Sequence, residues 1–128
     1  MTKLDKDSVI GISALLVHAA NIDEIYSDHE KNLIKNFIKS YLENGDPNEL
    51  LKKAEEVEKN SNQLLNYTNI IKQNSTDIKK DIIEHLWKVI ISDNTVDQYE
   101  SNLMRRICGL IYFPDKECAE IKMKLINK

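Results

Sequence analysis

A chain of 128 residues suits one domain, long enough to bury roughly 68% of its unfolded surface. Its 41% hydrophobic and 30% charged residues describe an ordinary soluble globule, and 3 Gly and 2 Pro leave little material for hairpins or long linkers. A net charge of −3, a pI near 5.6 and dispersed lysines argue against a nucleic-acid partner.

The opening segment, Met1-Thr2-Lys3-Leu4-Asp5-Lys6-Asp7, carries acids where a secretory signal needs apolar residues. The apolar run that follows, Ser8 to Ala20, is too short to span a membrane. A cytoplasmic protein that does not itself cross a membrane is expected. Val9, Ile12, Leu16, Ala19 and Ala20 form a first helical stripe, and Leu33, Ile34, Phe37 and Tyr41 a second. Gly45 stops that helix. Asp46 then serves as N-cap, with Pro47 at the first helical position and Glu49 completing a capping box. Leu50, Leu51, Ala54 and Val57 continue the third helix, and Asn60 with Gln63 offers a cap pair for a fourth bearing Leu64, Leu65, Thr68 and Ile71.

After Asn74-Ser75-Thr76 comes the strongest stripe, Ile78, Ile82, Ile83, Leu86, Val89 and Ile90. A sixth helix carries Leu103, Met104, Ile107, Leu110 and Ile111. Pro114 starts a last one with Cys118, Ile121 and Leu125 inward. The pattern predicts an all-α bundle of about seven helices in a single domain, residues 1–128. Cys108 and Cys118 fall at apolar helical positions and read as reduced core residues. Trp87 reads as core, His18, His29 and His85 as surface or helix-flank residues, and Gly11 and Gly109 as points of close helix packing.

One segment occurs twice, 70 positions apart: Asp23-Glu24-Ile25-Tyr26-Ser27-Asp28-His29-Glu30 and Asp93-Asn94-Thr95-Val96-Asp97-Gln98-Tyr99-Glu100. Around it, residues 16–33 match 86–103 at Leu16/Leu86, Asp23/Asp93, Glu30/Glu100, Asn32/Asn102 and Leu33/Leu103. Two helix–acidic loop–helix units related by a pseudo-twofold axis are therefore expected. Ser27 with Glu30, and Asp97 with Glu100, have the spacing of capping boxes, which explains those acids through helix chemistry. Asp23 and Asp93 instead fall where a helix should be ending, and a carboxylate there faces the negative end of the macrodipole. An Asx-turn accounts for such a residue; so does a bound cation. Hard oxygen ligands without His or thiolate favour Ca²⁺, Mg²⁺ or Mn²⁺, with Asp23, Glu30, Asp93, Asp97 and Glu100 as the ligand candidates and Glu24 and Ser27 as additions.

Counting positions excludes an EF-hand. From Asp93 the sixth residue is Gln98 where Gly is needed, and the twelfth is Met104 where a bidentate Glu belongs; from Asp23 the same count reaches Asp28 and Ile34. No paired Glu-x-x-His, nucleophile signature or phosphate-cradling Gly loop is present, so no enzyme and no organic cofactor are expected.

The run Leu86-Trp87-Lys88-Val89-Ile90-Ile91-Ser92-Asp93-Asn94-Thr95-Val96-Asp97-Gln98-Tyr99-Glu100, continuing to Leu103-Met104-Arg105-Arg106-Ile107, resembles the tellurite-resistance TerB-like proteins. Their pattern is an apolar helix, Asp-Gly-x-Ile/Val-Asp-x-x-Glu, then a helix often holding paired arginines. Leu15 to Glu30 looks like the other half, and the resemblance covers roughly residues 9–126. It departs at Glu24 and Asn94, where the family usually has Gly, and at Tyr26. The resemblance implies an all-helical domain with paired acidic loops as its metal-binding region, linked to tellurite resistance and stress responses. Relatives fused to other modules, including a membrane-anchored DnaJ-type co-chaperone, imply a docking partner, either basic or membrane-associated. The alternative to a cation site is a metal-free protein-interaction module. No self-pairing heptad argues for a homodimer.

Overall fold

The computed structural model describes residues 5–21, 27–42, 45–60, 64–91 and 98–126, with the backbone alone described for 64–66 and 98–100. Those residues form seven α-helices: α1 (Lys6–Ala20), α2 (Asp28–Tyr41), α3 (Pro47–Asn60), α4 (Leu64–Lys72), α5 (Thr76–Ile91), α6 (Gln98–Leu110) and α7 (Asp115–Ile126). The all-α bundle read from the periodicity is what the chain forms.

Helix α1 starts on Asp5, whose carboxylate accepts from Ser8 N–H at 2.7 Å. That bond holds the Asp5 carboxyl below its ordinary range, the backbone donor being the main cause. It ends where Asn21 N–H donates to Val17 O at 3.0 Å. The sequence stripe of α1 was narrow, but in the fold Gly11, Ser13, Ala14, Leu15 and Val17 are buried as well. The reason is position: α1 packs against α2, α3, α4 and α5. A helix packed by four neighbours keeps little polar face. Fully burying side chains such as Ile12, Leu15 and Leu16 stabilises by about 2 kcal/mol each.

Around this axis α2 supplies Ile34, Phe37 and Ile38, α3 supplies Leu50, Leu51 and Ala54, and α5 contributes Ile82, Ile83, Leu86 and Ile90. Leu103, Met104, Ile107 and Cys108 of α6 close the core with Cys118 and Ile121 of α7. Similar neighbours occur in both halves: α3 packs on α1 and α2, and α7 packs on α5 and α6.

Several local readings need correction. Asn60 is the last residue of α3, and Gln63, its expected partner ahead of α4, lies outside the described residues. Asp46 does open α3, but it accepts from Asn48 N–H at 3.0 Å. Glu49 pairs with Lys53 at 3.6 Å across one exposed turn. Val57 is exposed, at 39%. Gly11 is a true close approach, since a Cβ there would meet Ile70 Cδ1 at 2.4 Å. Gly109 is not, because a Cβ there would touch nothing within 4 Å.

The turn between α6 and α7 is closed by backbone. Phe113 N–H donates to Cys108 O at 2.9 Å and Tyr112 N–H to Gly109 O at 3.4 Å, the bond pair of a Schellman motif. Its left-handed position, usually Gly, is held by Tyr112 at φ 59°. Buried Phe113 supplies the apolar contact that accompanies such a motif, and Lys72 Nζ lies 4.7 Å from the Tyr112 ring centroid.

Candidate cation site in the acidic repeat

The two copies of the repeat each lie between two helices in sequence. α2 begins at Asp28, directly after its N-cap Ser27, so Glu30 stands third in that helix, and the described part of α6 begins at Gln98. Asp23 falls in sequence between α1 and α2, and Asp93 between α5 and α6. Both lie outside the described residues.

At the start of α2 the capping box is complete. Ser27 Oγ accepts from Glu30 N–H at 3.2 Å, and Glu30 Oε1 accepts from Ser27 N–H at 2.9 Å and from Ser27 Oγ–H at 3.1 Å. Glu30 is buried, at 5% exposure. A carboxylate can hold that position because it accepts from two Ser27 donors at the positive end of α2. One Glu30 oxygen is thus committed to the fold. Of the other candidate ligands, Asp23, Asp93 and Asp97, with Glu24, lie outside the described residues, as does the Glu100 side chain. Among the described residues, no group of three His, Cys, Asp or Glu side chains is placed to hold a metal ion.

Two longer contacts tie the helices to one another. Asn21 Nδ2 donates to Glu58 Oε1 at 3.2 Å, tying the end of α1 to α3. On the far end of α2, Tyr41 O–H donates to the Asp81 carboxylate of α5. His85 Nδ1 lies 2.8 Å from Asp81 O and 3.6 Å from Asp81 Oδ1. Phe37 packs against both rings, 5.1 Å from Tyr41 and 5.1 Å, edge-on, from His85. Burial, then the hydrogen bond to Asp81, pushes the Tyr41 phenol well above its ordinary 10.0, so it remains a donor. This clasp joins α2 to α5 and lacks a nucleophile. Sequence reading placed His85 on a helix flank and missed the clasp. Only the Asp81/His85 spacing of four residues hinted at it.

The other two histidines differ: His29 is exposed, and His18 is half-buried with its ring centroid 6.5 Å from that of Tyr67. Among the described residues no helix is long and apolar enough to cross a membrane. Compared with known families, the chain matches a model described as "Tellurite resistance protein TerB" over residues 10–123. No curated protein and no solved structure matches it significantly.

Proposed function

The chain belongs to the tellurite resistance protein TerB family, and from that premise we propose that it is a non-enzymatic, cytoplasmic, stress-associated domain that binds a hard divalent cation through its two acidic loops. One observation carries this reading. The acidic segment recurs 70 positions apart in sequence, once between α1 and α2 and once between α5 and α6. Capping accounts for one oxygen of Glu30, and a carboxylate expected at a helix end, as Asp23 and Asp93 are by sequence, faces the negative end of the macrodipole. Ca²⁺, Mg²⁺ or Mn²⁺ would supply the counter-charge, with Asp23, Glu30, Asp93, Asp97 and Glu100 as the ligand candidates. The two halves, on this reading, are related by a pseudo-twofold axis. Calorimetric titration with each of the three ions tests it. Saturable heat that disappears in Asp93→Asn supports the reading, and no heat with any of them overturns it.

A second reading is favoured by the Glu30 geometry itself. Because an acid of the first copy is already engaged in a capping box, the loops could be capped turns that dock a basic or membrane-associated protein without metal. Pull-down with the wild type and with Asp23→Asn/Asp93→Asn, with and without chelator, separates the two. Capture that ignores chelator but fails in the variant selects docking.

A further inference from the structure

Three helices leave a groove between them where α1, α3 and α4 meet, with a cavity volume of about 640 Å³. Small-molecule sites commonly span roughly 300–1,000 Å³. Ile10 and Gly11 of α1, Val57 of α3, and Tyr67 and Ile70 of α4 line it. Val57 continues the stripe of Leu50, Leu51 and Ala54, which are buried, yet it is 39% exposed. The groove is the reason, because Val57 stands where the neighbouring helices leave space.

Tyr67 is the second sign of a site. It is 3% exposed, and its hydroxyl is buried without a hydrogen-bond partner among the described residues. Core phenols normally find one, since a buried O–H left unpaired is costly. Charge narrows the choice of ligand. Asp7, Lys53 and Glu56 are the charged residues on the groove. Lys53 pairs with Glu49 at 3.6 Å, whereas Asp7 and Glu56 have no ion-pair partner among the described residues. The first turn of α1 favours Asp7, but Glu56 lies well inside α3 and gains nothing of that kind. Two carboxylates from two helices, an apolar lining and an unpaired donor complement one kind of molecule.

We propose that the α1–α3–α4 groove binds a small organic ammonium ion whose apolar body packs on Ile10, Val57 and Ile70. Asp7 and Glu56 hold its charge, and a hydroxyl or carbonyl oxygen on the body accepts from Tyr67. An anion of the same shape is repelled by the two carboxylates. The site is independent of the acidic repeat and of any metal ion there.

Titration of the isotope-labelled full chain with tyramine, followed through amide NMR shifts, tests the proposal. Saturable shifts should appear on α1, α3 and α4. Phenethylamine, which lacks the hydroxyl, should bind about tenfold more weakly, and the anion hydroxyphenylpropionate should not bind. Tyr67→Phe should erase the preference for tyramine over phenethylamine, which a loss of packing alone does not do. Val57→Trp, at an exposed position, should fill the groove and abolish the shifts, and it keeps the test decisive if Tyr67→Phe fails to fold. The proposal is overturned if tyramine gives no saturable shifts or shifts only the acidic repeat. Equal binding of the anion, an unchanged preference in Tyr67→Phe, or full binding by Val57→Trp overturns it as well.

Discussion

The junctions that precede α2 and α7 solve the same problem in different ways. Before α7, the chain turns by backbone bonds alone: the Schellman pair on Cys108 and Gly109, Tyr112 in the left-handed region, and Phe113 in the core. No acid is needed. Before α2, the helix is opened by side chains, with Ser27 and a buried Glu30 exchanging hydrogen bonds. The contrast shows where acidic residues are explained by folding and where they are not. Glu30 is required by the turn it closes, whereas Asp23, four residues before Ser27, has no counterpart in the backbone-closed junction.

Substitutions at the two junctions should therefore differ in sign. Glu30→Ala removes a buried charged member of the capping box and should destabilise the fold by about 2 kcal/mol in urea denaturation. Glu30→Gln, which keeps an acceptor, should cost less. At the other end of α2, Tyr41→Phe removes the donor to Asp81 and should cost about 1–2 kcal/mol near neutral pH. Because folding raises the Tyr41 pKa above its ordinary 10.0, the native state keeps a proton that the unfolded chain loses. That contribution is complete below pH 10.0 and is lost as pH rises beyond it, so Tyr41→Phe should flatten the alkaline fall in stability.

The α6–α7 junction should instead improve. Tyr112→Gly relieves a left-handed backbone at the expense of an exposed cation–π contact, for a net gain of about 1 kcal/mol. Gly109→Ala adds a methyl group to open space inside a helix and should gain roughly 0.5–1 kcal/mol. A loss at either position, measured by thermal or urea denaturation, would break the comparison.

Much of this fold is visible in sequence because its determinants are local. Apolar stripes, Ser27 with Glu30, Asp46 and Pro114 mark helices through bonds made within a few residues. Hidden features are those made by partners far apart. Tyr41 reaches Asp81 across 40 positions and Trp87 reaches Cys118 across 31, and no spacing rule connects them. The breadth of the buried face of α1 is likewise hidden, because Gly11, Ser13 and Ala14 carry little hydrophobic signal and only the four neighbouring helices reveal the position. Tyr112 occupies a conformation whose usual signature is Gly, so sequence gave no warning of it. In the candidate site, the repeat itself was plain, and so was the capping share of Ser27 and Glu30.

The central claim is that the leading acids, Asp23 and Asp93, answer to a cation and not to the helices. Thermal unfolding of the wild type and of Asp23→Asn/Asp93→Asn, in chelator and in millimolar Ca²⁺ or Mg²⁺, tests it most directly. An ion at about a hundred times its Kd stabilises by about 2.7 kcal/mol. At roughly 4 °C per kcal/mol for a domain of this size, Tm should rise by about 10 °C in the wild type and stay fixed in the double variant. A wild-type Tm indifferent to both ions, or a rise that the double variant retains in full, would contradict the account.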